Sequence, residues 1–338
     1  MATSKISIKD IAARLNISIT TVSFIINGKA EEKRISKDLS EKVLQYINEV
    51  GYVPHHTARS LRTGKTNVIG LIVEDISNQF FANVARHIEA YAEEKGYRIF
   101  YCSAENDTKK ANELIKLFRE RNVDGYIITP APGIEESVKN LLAEGLPLVL
   151  FDRYLPGVKS NSVIVDNEGG AYNATKHLIA QGYKNIGFVT LESGQTQMKA
   201  RLKGYTKAIE EGALTPSVLK IVFNNDNTER VNNITSYLKL NKKLDAVFFA
   251  TNYLGISGLE AIKLSKLSIP KNIAVLSFDD HDLFRLYNPA ITAIAQPIQE
   301  MTKQAMNILL HEMSNNDGTH KKIVIKPELV IRDSSIKK

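Results

Sequence analysis

A chain of 338 residues carries one cysteine, Cys102. A lone thiol rules out an internal disulfide and any zinc site built on cysteines, and it points to a reducing cytosol. Long hydrophobic runs are also missing, for no apolar stretch approaches the ~20 residues that cross a bilayer. Met1 to Lys9 lacks the apolar core of a secretory signal. Membrane and secreted classes are therefore not expected. Hydrophobic residues at 43% and charged residues at 24% exclude disorder. Enzyme signatures are absent too: no carboxylate pair, nucleophile elbow, phosphate-cradling glycine loop or metal-ligand spacing stands out. The seven histidines form no ligand motif, and His55-His56 suits a solvated or phosphate-contacting role better than a metal. Neither a cofactor nor a metal is expected.

What the chain does have is a lopsided charge. Its net charge is +7, and residues 1–66 hold eleven Lys and Arg against six Asp and Glu. That segment is therefore +5, which leaves +2 for everything after it. A basic head on a nearly neutral body suits a nucleic-acid partner.

The head reads as helices. Ser7 caps a short helix with Asp10 at its third position, and Ile8, Ile11, Ala12 and Leu15 share one face. Asn16-Ile17-Ser18 turns the chain into a second helix, Ile19 to Asn27, which Gly28 ends. Two short helices at this spacing form a helix-turn-helix unit. Thr20, Thr21, Ser23 and Asn27 give the second helix small polar groups suited to base edges and phosphates. A third amphipathic helix, roughly 37–50, closes the small core with Leu39, Val43, Leu44, Ile47 and Val50.

Further along, apolar runs of four to six residues alternate with helical patterns, as in Val68 to Val73 before the stretch Phe80 to Lys95. This is the rhythm of βαβ units and a parallel sheet. Three landmarks recur in order: Ile69-Gly70 and Ile186-Gly187, Asp124 to Ile128 and Asp245 to Phe249, Phe151-Asp152 and Phe278-Asp279. Their offsets drift from 117 to 121 to 127, as loop insertions in a duplicated lobe would produce. Open parallel sheets bind ligands beyond the carboxyl ends of their strands. Residues just after the strands are Asp75, Asn78, Asp152, Arg153, Gln195, Asn252 and Asp279, joined by Phe80, Phe81 and Arg201 at helix positions. Aromatic faces among carboxylates, amides and guanidinium groups suit a sugar-like ring. Asp152 is equally consistent with a loop cap, Arg153 with an ion pair between lobes, and one phenylalanine with core.

Ile8-Lys9-Asp10-Ile11-Ala12, Ser18, Thr21-Val22-Ser23, Asn27, Gly51-Tyr52-Val53-Pro54 and Ala58-Arg59-Ser60-Leu61-Arg62 resemble the lactose-repressor (LacI) family of bacterial transcription regulators. In the body, Arg201 to Tyr205, Phe278-Asp279-Asp280, Gln296-Pro297 and Lys326 to Ser335 extend the likeness to nearly the whole chain. The resemblance implies a helix-turn-helix domain over 1–53, a hinge helix and linker over 54–66, and an effector-binding and dimerising body over 67–338. That body would be two Rossmann-like lobes of periplasmic-binding-protein type. The first would span about 67–160 and 297–326, the second about 161–296 and 327–338, with three crossings between them. Ser7, Ser18, Ser23, Asn27, Tyr52, His55 and Arg59 would lie on the DNA side. Thr21 would lie there too, Ile19 and Thr20 would sit at the bases, and Ala58 and Leu61 in the minor groove, Leu61 as a wedge. The implied partners are a palindromic operator duplex, a sugar-like effector in the cleft and a second copy of the chain, with no membrane.

The chain departs from the family pattern in several places. Phe24 replaces an Arg, His55 an Asn and Gln79 a Pro, and Tyr253 stands where an Asp commonly follows the Asn. The Lys29 to Ile35 turn is long, and it carries Lys33 and Arg34. Phe24 suits either a thymine methyl or the core. Two rival classes remain at this point, a sugar-binding protein of a transport system and an enzyme. The basic head argues against the first, and the lack of a defensible catalytic constellation against the second.

Overall fold

A computed structural model describes residues 6–52, 64–223, 226–315 and 318–337. The chain divides into two compact units, Met1–Thr66 and Asn67–Lys338.

In the first unit, α1 (Ile8–Arg14), α2 (Ile19–Ile26) and α3 (Lys37–Glu49) enclose Ile11, Ala12, Val22, Ile25 and Val43. Each helix starts on a serine whose hydroxyl accepts a backbone N–H of the first turn: Ser7 from Asp10, Ser18 from Thr21, Ser36 from Leu39. Asp10 returns the bond to the Ser7 N–H at 2.8 Å, completing a capping box. These hydrogen bonds, led by the one from the Ser7 side chain, also hold the Asp10 carboxyl below its usual range.

The second unit contains two six-stranded sheets. The first has the order β11-β5-β4-β3-β1-β2, from β1 (Val68–Val73), β2 (Arg98–Ser103), β3 (Gly125–Ile128), β4 (Leu148–Phe151), β5 (Asn161–Val165) and β11 (Lys322–Ile325). All its pairings are parallel. The second has the order β12-β10-β9-β8-β6-β7, from β6 (Ile186–Leu191), β7 (Ser217–Ile221), β8 (Ala246–Phe249), β9 (Ala274–Phe278), β10 (Thr292–Ala295) and β12 (Glu328–Val330). Only β12 runs antiparallel to its neighbour. Helices α4 (Gln79–Glu94), α5 (Thr108–Glu120), α6 (Glu135–Ala143) and α12 (Ile298–Ser314) belong with the first sheet. Helices α7 (Asn167–Ala180), α8 (Thr196–Glu211), α9 (Asn227–Leu240), α10 (Asn252–Leu264) and α11 (Asp282–Leu286) belong with the second. Central strands such as β3, β4, β8 and β9 are buried throughout, which is why they read as unbroken apolar runs.

The chain changes sheets at Asp166, at Gln296-Pro297 and at Lys326-Pro327. The first change corrects an expectation. Strand β5 pairs with β4 and β11, so the first lobe runs to Val165 rather than ending near residue 160. An apolar strand does not announce which sheet it joins; partners distant in sequence decide that.

The repeated landmarks have physical causes. A Cβ on Gly70 would collide with the Phe118 ring, and one on Gly187 would lie 2.8 Å from the Tyr237 hydroxyl. A helix presses on the strand at the same place in each lobe. Asp124 accepts the Asn67 N–H at 2.8 Å, and Asp245 accepts those of Lys184 and Asn185 at 3.0 and 2.9 Å. Asp152 and Asp279 both take left-handed backbone, with φ of 67° and 66°. Aspartate tolerates that region better than most residues.

Candidate functional sites

Helix α2 leaves both of its ends exposed. Ser18, Ile19, Thr20 and Asn27 are exposed. Ile19, 43% exposed, is a large apolar side chain left outside the core of a small domain. The Ser18 hydroxyl lies 2.8 Å from that of Thr21, and the Asn27 amide donates to the Ser23 carbonyl at 2.6 Å. Tyr52 is half-buried against the head core. Phe24 is also half-buried, and the Lys33 ammonium stands 5.6 Å from its ring centroid. The long turn thus folds back on α2, and Lys33 also pairs with Glu32 at 2.9 Å. His55, Ala58, Arg59 and Leu61 lie outside the described residues.

Between the two sheets, the carboxyl ends of β1, β4, β6, β8 and β9 converge on a cleft. Arg153, 3% exposed, binds Glu74 at 2.5 Å, Asp152 at 3.1 Å and Asn106 at 2.9 Å. Burial opposes the charge on Arg153, but Glu74 and Asp152 outweigh it and hold the guanidinium protonated. Burial also raises the Asp152 carboxyl, against the pull of Arg153 and Arg201. In the second lobe Arg201, 2% exposed, donates to Asn167 at 2.7 Å, to the Ala250 carbonyl at 2.7 Å and to Asp279 at 3.3 Å. Its guanidinium lies 3.6 Å from the Phe278 ring centroid. Gln296 donates to the other Asp279 oxygen at 2.6 Å.

Hydrogen bonds span the lobes. Asn78 and Asn252 pair their amides, at 3.1 and 3.4 Å. Gln195 donates to Asn106 at 2.8 Å, and Gln79 to Asp282 at 2.9 Å. Two cavities adjoin these bridges. The outer, about 400 Å³, is bounded by Asp75, Glu105, Phe223, Arg230, Asn252 and His281 among others. The inner, about 30 Å³, lies among Phe80, Arg153, Gln197, Arg201, Asp279 and Gln296.

Several expected roles look different in this setting. Arg153 pairs with Glu74 inside its own lobe, so the alternative of a lobe-to-lobe ion pair does not hold. Phe80 and Phe81 are both buried, packed edge to face with centroids 4.9 Å apart, so neither is a broad open plate. Asp75 accepts both the N–H and the hydroxyl of Ser77 at 2.8 Å, forming a loop turn at the rim of the outer cavity. Sequence reasoning missed Glu74, Asn106, Gln197 and Gln296 as cleft residues. Only Glu74 carried a signal of its own, a carboxylate directly ending the apolar run of β1.

Residues 7–55 match the profile of bacterial regulatory proteins of the lacI family, and residues 175–335 match a periplasmic binding protein-like domain. The transcriptional repressor PurR of Haemophilus influenzae (strain PittEE) is 32% identical, over 97% of this chain and 98% of its own. The chain belongs to the lacI family. The ribose operon repressor of Haemophilus influenzae (strain ATCC 51907) is 30% identical, over 97% of this chain and 98% of its own. Among solved structures, the lac repressor dimer bound to operator and an anti-inducer superposes with a TM-score of 0.87 at 19% identity, covering 99% of this chain and all of the other. This lacI-family chain is a DNA-binding transcriptional regulator and not an enzyme. A transport-system role is displaced, because the relatives that match from end to end are regulators. Among the described residues no group of three or more His, Cys, Asp or Glu could hold a metal, and no helix is long and apolar enough to cross a membrane.

Proposed function

We propose that this regulator represses transcription in the cytoplasm as a homodimer on a palindromic operator, and that a neutral polyhydroxylated compound in the inter-lobe cleft controls it. The observation that carries the effector part is the double chamber crossed by Asn78–Asn252 and Gln195–Asn106. A ligand there changes the bonds that hold the lobes together, and so has unequal affinity for open and closed forms, which an allosteric shift requires. Buried Glu74, Asp152 and Asp279 outnumber Arg153 and Arg201, so the cleft is rich in acceptors and suits hydroxyl donors. Asp75, Asn78, Phe80, Phe81, Arg153, Gln195, Arg201, Asn252 and Asp279 are assigned to this site.

On the DNA side, Ile19 and Thr20 read bases, Ser18, Ser23 and Asn27 hold the phosphate backbone, and Ser7, Thr21 and Tyr52 also contact the duplex. His55, Ala58, Arg59 and Leu61 complete the interface through the hinge. Two-fold symmetry of the protein would be mirrored in the operator. The test is enrichment of duplexes from a random library, followed by gel shifts with D-ribose, D-glucose or cellobiose. A palindromic consensus whose shift responds to a sugar is expected. Absence of any sequence preference would sink the reading.

A further inference from the structure

The two chambers of the cleft share the boundary residues Glu74, Asn78 and Tyr253. Tyr253 alone among them contributes a ring. It sits in the first turn of α10, where its N–H is tied to the Asn252 side-chain oxygen at 2.7 Å. The Arg230 guanidinium stands 5.8 Å from the ring centroid on the outer side. The phenol is driven far above its ordinary range, first by burial and then by Glu74, while the Thr251 side chain and Arg153 pull it back and Asp279 adds to the rise. Glu74, Arg153, Thr251 and Asp279 all line the inner space together with Tyr253.

That inner space looks prepared for donors it does not receive. The side-chain carbonyls of Gln197 and Gln296 are buried with no hydrogen-bond partner, and Gln197 is only 4% exposed. Yet about 30 Å³ has room for roughly one water and not for a sugar ring. The outer chamber, at about 400 Å³, falls within the range of small-molecule sites, about 300–1,000 Å³. We propose that Tyr253 walls the inner chamber off from ligands, so that the effector of this chain is held in the outer chamber against Asp75, Arg230, Asn252 and His281. This divides the residues assigned to the cleft: Asp75, Asn78 and Asn252 meet the ligand in the outer chamber, whereas Arg201 and Asp279 lock the second lobe from behind the wall. The inference rests on the cleft being the effector site and adds which part of it is open.

The experiment titrates D-ribose, D-glucose and cellobiose into the full-length protein by calorimetry, comparing wild type with Tyr253→Phe, Tyr253→Ala and Tyr253→Asp. Tyr253→Phe keeps the ring and should match the wild type for all three sugars. Tyr253→Ala and Tyr253→Asp join the chambers, and at least one sugar should bind about tenfold or more tightly than to the wild type. Two ring-removing variants guard against one failing to fold, which thermal melting checks. If the folded variants bind none of the sugars more tightly than the wild type, the wall is not what limits the site. A gain equal in Tyr253→Phe would assign the effect to the hydroxyl and overturn the ring's role. Operator binding on the same preparations keeps the two readings apart. Loss of sequence-selective binding by the wild type fails the regulator reading. Intact operator binding with no sugar gained fails only the Tyr253 inference.

Discussion

The exposed ends of α2 in the head and the cleft of the body hold their polar side chains in opposite conditions. On α2, Ser18, Ile19, Thr20 and Asn27 face outward, held by local bonds within four residues of chain. In the cleft, Arg153, Arg201, Asn252 and Asp279 are buried and bonded to residues tens of positions away. The head therefore presents a surface that costs little to re-pair with DNA. The amides that bridge the cleft, Asn78 with Asn252 and Gln195 with Asn106, are already paired within the protein, so a ligand must replace existing bonds, and that replacement is what a switch needs. Stability and binding should consequently respond to mutation in opposite ways at the two places.

The largest effect should come from Arg201→Ala. It strips the buried Asp279 and the Ala250 carbonyl of a donor, and removing one partner of a buried pair costs about 3–5 kcal/mol. Urea unfolding monitored by circular dichroism should show it. A loss below about 1 kcal/mol would mean that the cleft is not closed on its own charges. Next comes the head: Ile19→Ala with Thr20→Ala should weaken operator binding by about 1–3 kcal/mol for each base no longer read. The midpoint of unfolding should hardly move, since surface changes away from caps are worth within about 0.5 kcal/mol. A melting loss as large as the binding loss would erase the contrast.

The smallest effect is a pH slope. His281, at the rim of the outer chamber, is held below its ordinary value chiefly by burial, against Asp282 and Asp280. His177 is lowered by burial as well. Both fold neutral, so below about pH 6.5 the unfolded chain takes up protons that the folded one resists, and stability falls as pH drops toward the lowered values. Above that window neither contributes. His281→Asn, which can still cap α11, should reduce this slope and leave the part due to His177. An unchanged stability–pH profile between about pH 5 and 7 would refute the assignment.

The head was legible because its signals are local. The Ser7–Asp10 box, the Ser18 cap and the Gly28 stop place α1 and α2 to within a residue. In the body, β1 falls on Val68–Val73 as the apolar run predicts, and the duplicated landmarks answer to the glycines under Phe118 and Tyr237 and to the paired left-handed aspartates. What could not be read depends on meeting partners far away in the chain. Nothing local marks β5 as a member of the first sheet, Asn106 as the hub between Arg153 and Gln195, or Glu74 as the partner of Arg153. Tyr253 was visible as an unusual residue, but its place between two chambers is a property of the folded cleft.

Lobe-to-lobe bonding in the cleft should be coupled to operator affinity, and that coupling can be measured without knowing the ligand. Asn252→Ala combined with Gln195→Ala removes the bridges to Asn78 and Asn106 while leaving α2 untouched. Operator affinity by fluorescence anisotropy should then change about 5- to 150-fold, the usual span of an allosteric coupling. Affinity within about twofold of the wild type, in a variant that melts normally, would show that the cleft bridges and DNA binding are independent.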